Sequence, residues 1–168
     1  MIVIVFGLPG TGKSYFSRQL ARETGISYLN TDIVRKRMNK EGQYDPRTKQ
    51  MVYDQLLKDM IRHVSAYENV ILDGTFSKDK FRKDCMDKAS ELGQDVFFIE
   101  MKADDPTVRK RMKKDRKHSE ADYGVYEKMK HEFEPMEAPH LVLPSDKLSN
   151  AEMIKKAKKL IYGERAYS

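Results

Sequence analysis

Eight residues, Gly7 to Ser14, read G-L-P-G-T-G-K-S and directly follow the apolar run Ile2 to Phe6. They match the pattern G-x-x-x-x-G-K-S/T. In that pattern successive backbone N–H groups cradle a polyphosphate, the lysine reaches the terminal phosphates and the last hydroxyl holds Mg2+. The context gives the match its weight, because a run suited to a strand precedes it and a helical pattern follows. Gly7, Pro9, Gly10, Thr11, Gly12, Lys13 and Ser14 are therefore expected to contact a nucleotide's phosphates, with Tyr15 beside them. Lys13 takes the catalytic charge and Ser14 a place at the metal.

A bound polyphosphate asks for a metal, for cations that take up charge, and for a group that positions or deprotonates whatever attacks. Asp73 ends the run Val70 to Asp73, V-I-L-D, and an acid at a strand tip suits Mg2+ directly or through water. Its plainer reading is a turn cap before Gly74. Asp32 follows a second short run, in Asn30, Thr31, Asp32, and has Arg35 three residues on. One helical turn puts both side chains within reach of one acceptor group, and the arginine favours the charged carboxylate that a general base needs. Taken locally, Thr31 or Asp32 would serve equally as the N-cap of a helix from Ile33. Beside a phosphate loop, the base is the favoured reading.

The segment Arg109 to His118 reads R-K-R-M-K-K-D-R-K-H. Such a run on a helix is ordinarily a solvated face. Next to a nucleotide it suits a flap that closes over the donor, excludes water and brings arginines to the migrating phosphoryl group. Arg109, Arg111 and Arg116 are the candidates, with Arg109 on the nucleotide and the lid spanning about 106–122.

These residues need a scaffold that gathers them at one edge. Short β-branched runs alternate with longer helix-period segments, the pattern of a parallel sheet with crossover helices. Strands are expected at Ile2–Phe6, Ser27–Asn30, Val70–Asp73, Val96–Met101 and His140–Leu143. Helices are expected from the phosphate loop to before Gly25, over Thr48–Tyr67, from Ser77 to Gly93, from Pro106 into the basic run, over Glu120–Phe133, and after a Ser149/Glu152 capping box. In such an α/β sandwich the carboxyl ends of the strands form the ligand crevice, which places Asp32 and Asp73 on the same edge as the loop.

Composition narrows the class further. The 168 residues suit one domain, 1–168, and Cys85 is the only cysteine, so no internal disulfide or thiolate metal cage can form. A reducing cytoplasmic setting is expected. His63, His118, His131 and His140 pair with no cysteine at a zinc spacing. No stretch approaches a membrane span and the apolar start is too short for a signal peptide. The net charge of +6 favours anionic partners, which nucleotide phosphates alone would explain.

Together the motifs resemble the P-loop kinases that include phage-type polynucleotide 5′-hydroxyl kinase, the zeta-toxin kinases and many small bacterial and archaeal kinases of the AAA_33 type. The resemblance rests on G-L-P-G-T-G-K-S, on T-D-I-V-R with Asp32 and Arg35, on V-I-L-D-G-T-F followed by Arg82, and on R-M-K-K-D-R. S-E-A-D at Ser119 to Asp122, then Y-x-x-M-K and F-E-P at Phe133 to Pro135, extend it over nearly the whole chain. It implies an adenylate-kinase-like three-layer sandwich with sheet order 2-3-1-4-5, and ATP with Mg2+ as donor. It implies a hydroxyl acceptor activated by Asp32 and oriented with Arg35, with Arg111 and Arg116 on the transferred group. Thr75 and Arg82 would line the acceptor side.

The acceptor stays open between polynucleotide ends, nucleosides and other small molecules, and no obligate protein partner or membrane is readable. A nucleoside monophosphate kinase is the alternative, although an acceptor phosphate needs no base. A P-loop switch or ATPase is another, but Asn39, Lys40, Glu41, Gly42 lacks the final acid of a guanine-reading N-K-x-D, and Asp73 is followed by Gly74 and not by a second acid. A basic nucleic-acid-binding module is a further reading, without an interleaved aromatic and basic stripe to support it.

Overall fold

Strand β1 (Ile2–Phe6) is buried at every position and runs down the middle of a five-stranded sheet. A strand covered on both faces needs apolar residues at every position, which is why I-V-I-V-F shows no polar alternation. The computed structural model describes residues 1–114 and 120–163 of the chain, without the side chains of 120–122. Arg116 and part of the expected lid lie outside them.

The chain continues through α1 (Lys13–Thr24), β2 (Ser27–Asn30), α2 (Thr31–Arg37), α3 (Pro46–Ser65), β3 (Val70–Asp73) and α4 (Asp79–Glu91). It then passes through β4 (Val96–Lys102), α5 (Asp105–Lys114), α6 (Glu120–Glu132), β5 (Leu141–Pro144) and α7 (Asn150–Tyr162). All strand pairs are parallel and the order is β2-β3-β1-β4-β5. The expected three-layer sandwich and its strand order are found.

Two apolar layers flank the sheet. Val3, Val5, Ile71, Ile99 and Met101 pack against Phe16 and Leu20 of α1 and Met153, Ile154, Ala157 and Ile161 of α7. On the opposite face Ile2, Ile4, Phe6, Leu72 and Phe98 meet Val52, Leu56 and Met60 of α3 and Phe81, Cys85 and Ala89 of α4. A third small cluster joins Val108 and Met112 of α5 to Tyr126 of α6, with Leu8 of the phosphate loop packed on it. Helix α5 is thus seated on the phosphate loop itself.

Local signals explain the boundaries. The αL residue Gly25 closes α1, its N–H bonded to the Ala21 carbonyl. Asp45 caps α3 and Pro46 takes its first turn. Ser149 and Glu152 form the reciprocal capping box of α7. The structure departs from expectation at α2, where the cap is Asn30 and neither Thr31 nor Asp32. The Asn30 side chain accepts from the N–H groups of Asp32 (2.7 Å) and Ile33 (3.2 Å), so the helix starts two residues earlier and Asp32 falls in its first turn. At α5 the helix opens at Asp105 because Asp104 accepts from the Thr107 N–H, making Pro106 its second residue.

Candidate active site

The phosphate loop leaves β1 at Gly7, where φ is +139° and a Cβ would stand 2.3 Å from the Met101 carbonyl oxygen. Only glycine lets the loop start so close to β4. At Gly10, with φ of +77°, a Cβ would press within 2.8 Å of Val108 Cγ1, so this glycine admits α5 against the loop. Inside the loop, Thr11 Oγ1 and Lys13 Nζ both donate to the Leu8 carbonyl, at 2.7 and 2.8 Å. Burial lowers the Lys13 pKa from its ordinary value, and the charges of Asp73 and Asp32 oppose that shift. A half-buried ammonium held to one carbonyl beside two carboxylates is placed for a stronger anion.

Asp73 ends β3 with no exposed surface. Its Oδ2 accepts from the Tyr28 hydroxyl at 2.6 Å and from Asn30 Nδ2 at 2.7 Å, and the Asn30 amide also lies 3.4 Å from Ser14 Oγ. Its Oδ1 is buried with no hydrogen-bond partner. An orphaned carboxylate oxygen of this kind is rare unless something absent from the coordinates satisfies it. The residues therefore fit Mg2+, which takes one or two protein oxygens and completes its octahedron with water and phosphate. Among the described residues no group of three or more His, Cys, Asp or Glu forms a metal cage.

On the neighbouring strand end, Asp32 Oδ1 accepts from Arg35 Nη1 at 2.7 Å. The two differ sharply in exposure, with the Asp32 side chain 72% exposed and that of Arg35 only 6%. Arg35 is fixed by the Gln43 carbonyl at Nε (3.1 Å) and by the Tyr44 ring 4.5 Å from its guanidinium carbon. The carboxylate thus faces solvent while its arginine is held from behind.

On the other side of the loop, Arg111 donates to the Gly10 carbonyl (3.1 Å), Ser145 Oγ (2.9 Å) and the Ser145 carbonyl (3.1 Å). Ser145 Oγ in turn donates to the Thr11 carbonyl at 2.7 Å. Helix α5, the phosphate loop and the turn after β5 are tied together through these two residues.

Residues 2–136 match the AAA_33 family, an AAA domain. The chain belongs to this family. Among curated proteins it is 29% identical to an adenylate kinase of Parabacteroides distasonis, a match covering 66% of this chain and 64% of that protein's length. Among solved structures it resembles a sugar kinase from Janibacter sp., with TM-score 0.75, 18% identity, and 98% of this chain and 96% of that one covered. It also resembles the APS kinase of Mycobacterium tuberculosis in complex with AMPPNP and APS, with TM-score 0.73, 20% identity, and 95% and 96% covered. The fold is that of the P-loop kinases.

In this AAA_33 protein the expected site residues divide into those gathered around the loop and those engaged elsewhere. Lys13, Ser14, Asp73, Asp32 and Arg35 gather at the carboxyl ends of β1, β2 and β3. Thr75 joins them through its backbone, its carbonyl accepting from the Gly7 N–H at 3.3 Å. Tyr15 is 65% exposed next to the loop. Arg82, expected on the acceptor side, is 1% exposed. It bonds the carbonyls of Phe76 (3.2 Å) and Glu134 (2.7 Å) and lies over the rings of Phe6 and Phe133. In this conformation it is a strut that joins the start of α4 to the chain after α6. Arg109 is exposed and stacks on Tyr123 of α6 at 4.5 Å, which joins α5 to α6.

Three participants escaped the sequence reading. Asn30 carried a signal, since an Asn at a strand end before T-D suits a cap, but its second bond to Asp73 depends on the β2–β3 register, Asn30 against Asp73. Tyr28 reads as an ordinary strand tyrosine until that register sets it beside the carboxylate. Ser145 lies 134 residues from Thr11 in the chain, and only the adjacency of β5 to the loop joins them.

Proposed function

We propose that the protein is an ATP-dependent kinase that moves the γ-phosphoryl group of ATP onto a hydroxyl acceptor. The observation that carries this reading is the Asp32–Arg35 pair, an exposed carboxylate held by a buried arginine beside Lys13 and Asp73. Asp32 Oδ1 is engaged by Arg35, which leaves Oδ2 to take a proton. As the acceptor oxygen attacks the γ-phosphorus, the bond to the ADP oxygen breaks and the hydroxyl proton passes to Asp32.

Lys13 exchanges the Leu8 carbonyl for phosphate oxygens, and its ammonium offsets the charge on the transferred group and ADP. Arg35 keeps Asp32 oriented and presents its positive charge to the acceptor side. Arg111, with Arg116 further along the lid, closes the donor side and excludes water that would otherwise take the phosphoryl group. Mg2+, when bound at Ser14 and Asp73, neutralises phosphate charge and aligns the donor.

A base is needed for a hydroxyl and not for a phosphate, which separates this reading from a nucleoside monophosphate kinase. The adenylate kinase relative favours that second reading, in which Arg35 would bind the acceptor phosphate and Asp32 would only orient it. Asp32→Asn decides between them. The hydroxyl-kinase reading expects ATP affinity near wild type and transfer lowered by about 10²–10⁴-fold. Transfer by Asp32→Asn at near wild-type rate would remove the base and leave the phosphate-acceptor reading.

A further inference from the structure

The two oxygens of Asp73 live in different surroundings. Oδ2 takes two short hydrogen bonds, from Tyr28 at 2.6 Å and Asn30 at 2.7 Å, while the equally buried Oδ1 takes none. With no exposed surface, the carboxylate has no freedom to swing outward. Asn30 cannot swing away either, because its own Oδ1 caps α2 through two N–H groups.

We propose that Tyr28 and Asn30 are positioning residues that restrict Asp73 to one metal-facing oxygen and thereby select Mg2+ over Ca2+. Mg2+ requires near-ideal octahedral geometry and accepts single oxygens, directly or through its waters. Ca2+ is larger, takes six to eight oxygens and readily uses both atoms of a carboxylate. A carboxylate whose second oxygen is occupied by two donors suits the first ion and handicaps the second. Outer partners that orient a ligand commonly change metal affinity by about 10–100-fold.

This inference rests on Asp73 serving the metal, and one titration series separates the two claims. The protein, saturated with the β,γ-imido analogue of ATP, is loaded with Mn2+ followed by EPR, and Mg2+ or Ca2+ is titrated in to displace it. Tyr28→Phe is expected to weaken Mg2+ by about 10-fold or more and Ca2+ by clearly less, narrowing the preference. Asn30→Ser keeps a capping oxygen for α2 but is too short to reach Asp73, and it is expected to move the preference the same way. It carries the test if Tyr28→Phe does not fold.

A purely structural role for the two residues would lower the melting temperature and leave the Mg2+ to Ca2+ ratio unchanged. That result, or equal weakening of both ions, overturns the positioning role. If Asp73→Ala binds Mg2+ like wild type, the metal assignment itself falls. If Asp73→Ala loses the ion while Tyr28→Phe matches wild type, only the positioning role falls.

Discussion

Lys13 holds its ammonium 2.8 Å from the Leu8 carbonyl, in surroundings whose burial disfavours its charge. Lys13→Met removes both the charge and its desolvation penalty. The variant is expected to melt at or above the wild-type temperature, read by calorimetry, while turnover falls by about 10²–10³-fold. A large loss of stability would mean that the lysine holds the loop together. The sequence motif made Lys13 and Ser14 legible because their spacing alone sets the chemistry. It could not reveal that Lys13 would rest on Leu8, which depends on the loop's fold. Cys85 makes the opposite case, a reactive residue type made inert by place. Its thiol is 3% exposed and burial pushes its pKa up to about 12. Alkylation by iodoacetamide near pH 8 should be negligible in the folded protein and rapid once denaturant unfolds it.

At the scale of elements, the site is a set of junctions between strand ends. Gly7→Ala would drive a Cβ into the Met101 carbonyl at a φ that alanine avoids, and it is expected to destabilise the fold by about 2–5 kcal/mol, read as a shift in the denaturant midpoint. Arg82→Met would leave the carbonyls of Phe76 and Glu134 without their donor. The expected result is a loss of about 2–4 kcal/mol with phosphoryl transfer per folded molecule retained. A fold-neutral variant that no longer bound the acceptor would return Arg82 to the acceptor side. The strands and most helices were legible because period and caps are local signals, as with Gly25 closing α1 and the Ser149–Glu152 box opening α7. The contacts of Arg82 were not, since an arginine after a strand looks alike in sequence whether it meets a ligand or the Glu134 carbonyl. The same holds for Arg109, whose partner Tyr123 lies on the next helix.

For the whole molecule, the sheet order sets the division of labour. β2 and β3 bring Asp32 and Asp73 to one flank of the phosphate loop, and β4 and β5 bring α5 and Ser145 to the other. Arg111 crosses from α5 to the loop, whereas the Asp32 side chain faces solvent. Neutralising Arg111 and Arg116 together is accordingly expected to depress turnover far more than acceptor affinity, as separated by steady-state kinetics. The α/β class was legible in the alternation of short apolar runs with helix-period segments, whereas the strand order was legible only through the resemblance of the motifs to the P-loop kinases. The acceptor was not, because nothing in a carboxylate and an arginine names the molecule that would receive a phosphoryl group. The most direct test incubates the protein with γ-labelled ATP and Mg2+ against a panel of 5′-hydroxyl DNA and RNA, nucleosides and sugars. Label is expected to appear covalently on one acceptor class with the wild type and to be lost with Asp32→Asn. Release of labelled inorganic phosphate alone, at a rate indifferent to every acceptor and to Asp32→Asn, would contradict the account.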